Sequence, residues 1–140
     1  MNIRLIVAGA LVVGAGLAGA RYLLAERANE RQIAGAVLAD VMVPELTAEA
    51  KAGEAVFNAN CASCHGTNAA GQQGVAPPLV HVIYEPNHHS DAAFHLAAQR
   101  GARAHHWPFG DMPPVPGVSE SDVDKIVTYV RTLQRANGIY

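Results

Sequence analysis

The chain has 140 residues, half of them hydrophobic, with a formal net charge of −2 and a pI near 6.4. This length leaves room for one small domain and an appendage. The charge argues against a nucleic-acid partner, because binding to phosphates requires a basic face.

The amino-terminal segment from Leu5 to Ala20 contains only apolar or small residues and no charge. Extended to Leu24, it is about 20 residues long and can form a helix that crosses a bilayer. Alternatively, Ala18-Gly19-Ala20 has the small-residue pattern of a signal-peptide cleavage site. We favour the anchor, because Arg21 to Met42 has the pattern of a continuing helix or stalk, which is useful only if it is tethered.

Either interpretation predicts export. We expect the protein on the periplasmic side of a bacterial inner membrane, held by the N-terminal helix, or soluble in the periplasm after cleavage. Val43-Pro44 then ends the stalk. The predicted division is therefore an anchor or signal peptide over residues 1–24, a helical stalk or linker over 25–46 and a globular domain over 47–140.

The globular part opens with a helix that Thr47 is suited to cap, running from Ala48 to Asn60. A Gly/Pro-rich stretch, Gly66 to Pro78, predicts a loop. Further along, Ser90 can cap a short helix from Asp91 that stops at Gly101.

A last helix follows the Pro-rich segment that ends at Gly117. Ser119 and Asp122 have the spacing of a capping box with a shorter acid, and Gly138 closes the element. Apolar residues recur at helical spacing between these points, at Val123, Ile126, Val127, Val130 and Leu133.

The most informative motif is Cys61-Ala62-Ser63-Cys64-His65. C-x-x-C-H is the attachment signature of c-type haem. Two residues between the cysteines place the thiols about one helical turn apart, where both can reach the vinyl groups of one porphyrin edge. The adjacent His65 can then ligate the iron. The motif therefore predicts one covalent haem c, held by Cys61, Cys64 and His65.

Other uses of the two cysteines lack a necessary part. A structural zinc site needs a second pair of ligands, and Cys61 and Cys64 are the only cysteines. A thioredoxin-type pair would follow a strand in a βαβ unit, whereas this motif follows a helical pattern. A disulfide across so short a loop would be strained.

Whether a protein side chain provides the second axial ligand decides whether the iron can bind a substrate. Met112 is the only methionine after the motif, and Pro113 and Pro114 stiffen the chain beyond it. We predict His65 and Met112 as the metal ligands. The competing ligands for this position are His105 and His106.

Five other histidine positions raise the question of a second metal site. Imidazoles suit zinc or copper, and the candidates are His88, His89, His95, His105 and His106. We expect instead a polar, solvent-facing loop, because the sequence does not show that these residues meet.

With these residues in place, the chain from 47 to 140 resembles class I cytochrome c. Gly53 and Phe57 match the G-x-x-x-F pattern of the family's first helix, and Tyr129 matches the aromatic residue of the last helix that crosses at that glycine. The resemblance implies an all-α fold of three to five helices around one covalently bound haem, here preceded by an N-terminal hydrophobic helix.

The resemblance also assigns further cofactor-binding residues. The family's G-P-x-L loop corresponds to Ala76-Pro77-Pro78-Leu79, with alanine in place of the glycine. The carbonyl of Pro77 would accept the Nδ1–H of His65, and Leu79 would line the haem. Trp107 would correspond to the family's tryptophan that binds a propionate, with packing alone as the alternative, and Arg100 and Arg103 could pair with propionates.

The function implied by the resemblance is that of an electron carrier rather than an enzyme. The expected partners are a donor dehydrogenase or bc1-type complex and an acceptor oxidase or peroxidase, with the membrane near by and no nucleic acid. Two alternatives stay open: a dedicated haem subunit of a dehydrogenase or oxidase complex, and a ligand-binding or sensor haem protein.

Overall fold

The computed structural model describes residues 16–29 and 35–140. Contacts divide the chain into two units, Met1–Ala34 and Gly35–Tyr140. In the first, the described residues 16–29 form helix α1. No helix within the described ranges is both long enough and apolar enough to cross a bilayer. Residues 1–15 of the predicted anchor lie outside those ranges, so the anchor stays a prediction.

The second unit contains four α-helices and two single-turn 3₁₀ helices, at Thr67–Ala69 and Val82–Tyr84. The α-helices are α2 (Ala48–Asn60), α3 (Ala62–His65), α4 (Asp91–Arg100) and α5 (Glu120–Ala136). Over residues 16–29 and 35–140 the backbone forms isolated β-bridges but no strand. The predicted all-α class is confirmed.

Local hydrogen bonds explain where two of the helices begin. The Thr47 hydroxyl accepts from the backbone N–H of Ala50 at the start of α2, and Ser119 and Asp122 form both bonds of a capping box at the start of α5. Both predicted caps are confirmed. Ser90 occupies the N-cap position of α4, but its side chain makes no capping bond.

The core is built where α2 crosses α5. The ring centroids of Phe57 and Tyr129 lie 5.6 Å apart, and both side chains are fully buried. Gly53 permits this close approach: a Cβ added there would overlap the carbonyl oxygen of Lys125 and lie 2.9 Å from the Cβ of Tyr129. The crossing holds the C-terminal end of α2, and with it the start of the Cys61–His65 motif, against the core. The buried core residues are Phe57, Ala69, Val80, Ile126, Tyr129, Val130 and Leu133.

The prediction of a helix reaching Met42 is wrong for residues 35–42, which form no helix. The N–H groups of Leu38 and Ala39 donate to the carbonyl of Ala70, at 3.2 and 2.9 Å. The Asn137 side chain bonds both the N–H and the carbonyl of Met42, at 2.9 and 2.8 Å. These long-range bonds outweigh local helical pattern, and the segment packs on the same unit as the motif.

A buried polar network ties α5 to the loop before α4. The guanidinium of Arg131 donates to the carboxylate of Asp91 at 2.8 Å, the carbonyl of Tyr84 at 2.7 Å and the carbonyl of His89 at 2.5 Å. It also donates to the side-chain oxygen of Gln134 at 2.6 Å. Arg131 is only 6% exposed and Gln134 is fully buried. The network therefore fixes the loop that carries His89.

Candidate functional site

A cavity of about 510 Å³ opens beside the Cys61–His65 motif. This size lies within the range of small-molecule sites in proteins, and the side chains around it are mainly apolar. Its wall includes all seven residues that the sequence predicted to hold the cofactor: Cys61, Cys64, His65, Pro77, Leu79, Trp107 and Met112. Three distant stretches of the chain therefore converge on one cavity.

Local backbone structure presents the two thiols. α2 ends where the N–H of Cys61 donates to the carbonyl of Phe57 at 2.8 Å. α3 is a single turn in which the N–H of His65 donates to the carbonyl of Cys61 at 2.9 Å. Cys61 and Cys64 form no disulfide, and they are half-buried and exposed respectively. They sit one turn apart in the cavity wall, the arrangement that two thioether bonds to one macrocycle require.

The environment of the Cys61 thiol does not suit a redox pair. Burial, reinforced by the neighbouring Cys64, raises the pKa of Cys61 to about 11, whereas reactive Cys-x-x-Cys pairs have a lowered thiol pKa. Among the residues the structure describes, the only group of three or more potential metal ligands is a set of histidines that excludes both cysteines. The structure therefore offers no support for a thioredoxin-type or zinc-binding use of Cys61 and Cys64.

His65 is held in one orientation and tautomer. Its Nδ1 lies 2.9 Å from the carbonyl oxygen of Pro77. Because a carbonyl can only accept, Nδ1 carries the proton and Nε2 keeps its lone pair for a metal. Burial lowers the pKa of His65, with the bond to Pro77 acting in the opposite direction. The ring is therefore neutral at pH 7, and the hydrogen bond expected from the family pattern is present.

Met112 lies in the same cavity wall on a restrained loop. Its N–H and carbonyl exchange hydrogen bonds with Ala102, at 2.8 and 3.0 Å. Gly101 has φ +78°, and a Cβ there would overlap the Met112 carbonyl, so glycine permits this pairing. Pro113 follows directly. A backbone fixed in this way suits a thioether ligand, which binds weakly and gains from being held in position.

Trp107 carries the polar atom that tests whether a haem fits. Its indole Nε1 is buried and forms no hydrogen bond with any residue that the structure describes. The hydroxyl of Tyr84 approaches the indole without meeting hydrogen-bond geometry. A buried donor without a partner is costly, and a propionate of a bound haem would satisfy it. The orphaned donor, the two thiols, the neutral imidazole and the apolar wall together fit a haem.

The arginines contribute less than expected. Arg103 is exposed and lies in the cavity wall. Arg100 is also exposed, but it lies outside the wall. Of the two expected propionate partners, only Arg103 is placed at the cavity.

The substitution of alanine for the family's loop glycine creates no strain. Over the described residues, the non-glycine positions with left-handed φ are Asn68 and Ala69. Ala76 is therefore in a conformation open to any residue. The N–H of Leu79 donates to the carbonyl of Ala69 at 2.8 Å, which fixes the Leu79 end of the loop beside the cavity.

Sequence reasoning missed the roles of Arg131 and Gln134. Both residues are polar, so the periodicity of the apolar residues in α5 predicts that they lie on the surface. The available signal is their spacing of three, which places them on one side of α5 next to the buried Val130 and Leu133. The network they form supports the cavity wall through Tyr84 and other loop residues.

Comparison with known proteins agrees with this site. A family model described as Cytochrome c matches residues 50–134, more than half of the chain. Cytochrome c-554(547) of Halothiobacillus neapolitanus is 33% identical over 91 residues, which cover 61% of this chain and 98% of that protein. The chain belongs to the cytochrome c family. Membership confirms the predicted cofactor, one covalently bound haem c with iron, and the coarse function of a haem electron carrier.

Proposed function

We propose that this cytochrome c carries single electrons between redox proteins of the periplasm, with Cys61 and Cys64 bound to haem by thioethers and His65 and Met112 as axial ligands. The observation that carries the proposal is the convergence of both candidate axial ligands and both thiols on one apolar cavity. Bound there, haem supplies a one-electron redox couple.

The residues of the cavity would set the reduction potential of that couple. Pro77 makes His65 a better donor by accepting its Nδ1–H. A Met/His ligand pair raises the reduction potential. The apolar wall, which includes the buried Phe57 and Ile126, keeps water away from the site. If His65 and Met112 both bound the haem iron, no position would be left for a substrate, which is the property of a carrier.

Replacement of the proposed sixth ligand tests the assignment. Met112→Ala should lower the reduction potential and allow the reduced protein to bind carbon monoxide at neutral pH. Met42→Ala is the matched control, because its side chain is 61% exposed and lies outside the cavity wall. An unchanged potential in Met112→Ala would refute the ligand role. Carbon monoxide binding by the unaltered protein would favour the sensor alternative.

The partners and location complete the proposal. We infer a donor dehydrogenase or bc1-type complex and an acceptor oxidase or peroxidase, with the carrier held at the membrane by residues 1–24. The uncharged run from Leu5 to Ala20, which can be extended past Arg21 to Leu24, supports the anchor. N-terminal sequencing of protein from washed membranes tests the anchor, since an intact N-terminus supports an anchor and a start beyond Ala20 supports cleavage.

Copurification with one enzyme in detergent would instead indicate a dedicated subunit.

A further inference from the structure

Four histidines from two loops meet beside the cavity proposed for the haem, and three of them, His89, His105 and His106, lie in its wall. His88 and His89 precede α4, and His105 and His106 directly precede Trp107. The Nε2 atoms of His88 and His106 lie 3.1 Å apart. The rings of His105 and His106 are 4.2 Å apart, and those of His89 and His105 are 5.8 Å apart.

Three of these rings have the spacing of metal ligands. The potential ligand atoms of His88, His89 and His106 all lie within 4.8 Å of one another. Nitrogens bound to one zinc at about 2.0–2.1 Å lie roughly 3.3 Å apart in a tetrahedral site. His88 and His106 are exposed, so the open side of the set can admit water as a further ligand.

Backbone contacts already fix one of the three rings. The Nδ1–H of His89 donates to the carbonyl of Ile83 at 2.6 Å, which leaves Nε2 with its lone pair. Histidines that bind metals characteristically make such a bond through the other ring nitrogen. Arg131 holds the carbonyl of His89 as well. The His105 ring has a similar bond, with its Nδ1 2.7 Å from the carbonyl of Arg103.

The imidazole of His106 is biased toward its neutral form. Within the described residues, the histidine that lies within 4.0 Å of a carboxylate is His95, whose Nε2 is 3.0 Å from Asp124, so the cluster has no acidic partner. Desolvation, followed by unfavourable charge interactions with His105, His88 and His89, lowers the pKa of His106. Neutral imidazoles are the form that binds metals.

We propose that His88, His89 and His106 form a binding site for one divalent late transition-metal ion, zinc or copper. Imidazole ligands suit both, and Cu²⁺ binds more tightly than Zn²⁺ to a given set of nitrogen ligands. His105 packs against the set and supports it. His88, His105 and His106 are exposed, as expected for a polar loop that faces solvent, but they also meet one another, while His95 lies elsewhere, on α4.

The test uses the tag-free, full-length, oxidised holoprotein. Titration calorimetry with Zn²⁺ should show one saturable site per chain. With one equivalent of Cu²⁺, electron paramagnetic resonance should show nitrogen ligation. His88→Gln and His106→Gln should each weaken binding by at least about tenfold, whereas His95→Gln, the matched control, should leave it unchanged. Saturation by only one of the two metals identifies the occupant.

Three outcomes would overturn the proposal: no saturable site for either metal, equal weakening in the control, or variants that bind as tightly as the parent protein. The visible absorption spectrum of each variant provides a second readout. It should match that of the parent, which shows that the fold and the haem are intact. A changed iron ligation in His106→Gln would assign His106 to the haem and contradict the second site.

Discussion

The buried network around Arg131 makes a quantitative prediction about what holds the cavity wall. Arg131→Met keeps much of the apolar contact with Phe94, whose ring centroid lies 5.0 Å from the guanidinium carbon, but removes every hydrogen bond. The carbonyl of Tyr84 keeps its bond from Gln134 at 3.0 Å, and the 66% exposed side chain of Asp91 can be solvated. Two acceptors are left without a partner, the carbonyl of His89 and the side-chain oxygen of Gln134.

Each buried acceptor left unpaired costs about 1–3 kcal/mol. We therefore expect Arg131→Met to lose roughly 2–6 kcal/mol of unfolding free energy for the two acceptors, a large part of the stability of a small domain. Denaturant unfolding of the holoprotein, followed by far-ultraviolet circular dichroism, measures the loss. Arg135→Met is the control: Arg135 is exposed on the same helix and bonds Thr132 at 3.2 Å. If both variants changed stability by the same small amount, the network would not support the wall as argued.

Three further variants test other parts of the structure. Gly53→Ala should lower the free energy of unfolding, measured with denaturant, by about 1–3 kcal/mol, because the added Cβ meets the backbone of Lys125. A rise in the free energy of unfolding, which helix propensity alone would give, would disprove the close crossing of α2 and α5. Trp107→Phe should shift the reduction potential and destabilise the holoprotein by about 1.5–3 kcal/mol, the value of a hydrogen bond to a charged group; no shift in potential would show that the indole does not bind a propionate. Burial, with a smaller contribution from Glu54, raises the pKa of Tyr129 to about 12 from a usual value of 10. Because the Tyr129 hydroxyl ionises at lower pH in the unfolded chain than in the folded protein, the free energy of unfolding should fall as pH rises from 10 to 12. Tyr129→Phe should flatten that alkaline loss, and an identical pH dependence in the two proteins would contradict the shift.

Much of the site could be predicted from sequence because its chemistry is local. Cys61, Cys64 and His65 lie within five residues, and their spacing alone specifies a cofactor. Caps such as those at Thr47 and Ser119 also depend on neighbours within three residues. Met112 is farther away, but its uniqueness and its proline neighbours single it out.

The features that sequence did not reveal depend on distant partners. Residues 35–42 have a helical pattern, yet their hydrogen bonds go to Ala70 and to Asn137, which is 95 residues from Met42. His88 and His106 are 18 residues apart and meet only because two loops converge. Arg131 is buried among groups that no periodicity identifies. In each case tertiary contacts outweigh the local pattern.

The central claim, covalent attachment of haem by the two cysteines, can be tested by mass spectrometry of the matured protein after digestion with trypsin. The chain has no lysine or arginine between Lys51 and Arg100, so one peptide, from Ala52 to Arg100, contains the whole motif. With both thioethers formed, this peptide should carry the mass of one haem, and neither cysteine should be open to alkylation. A peptide of unmodified mass with two alkylated cysteines, and haem released free, would contradict it.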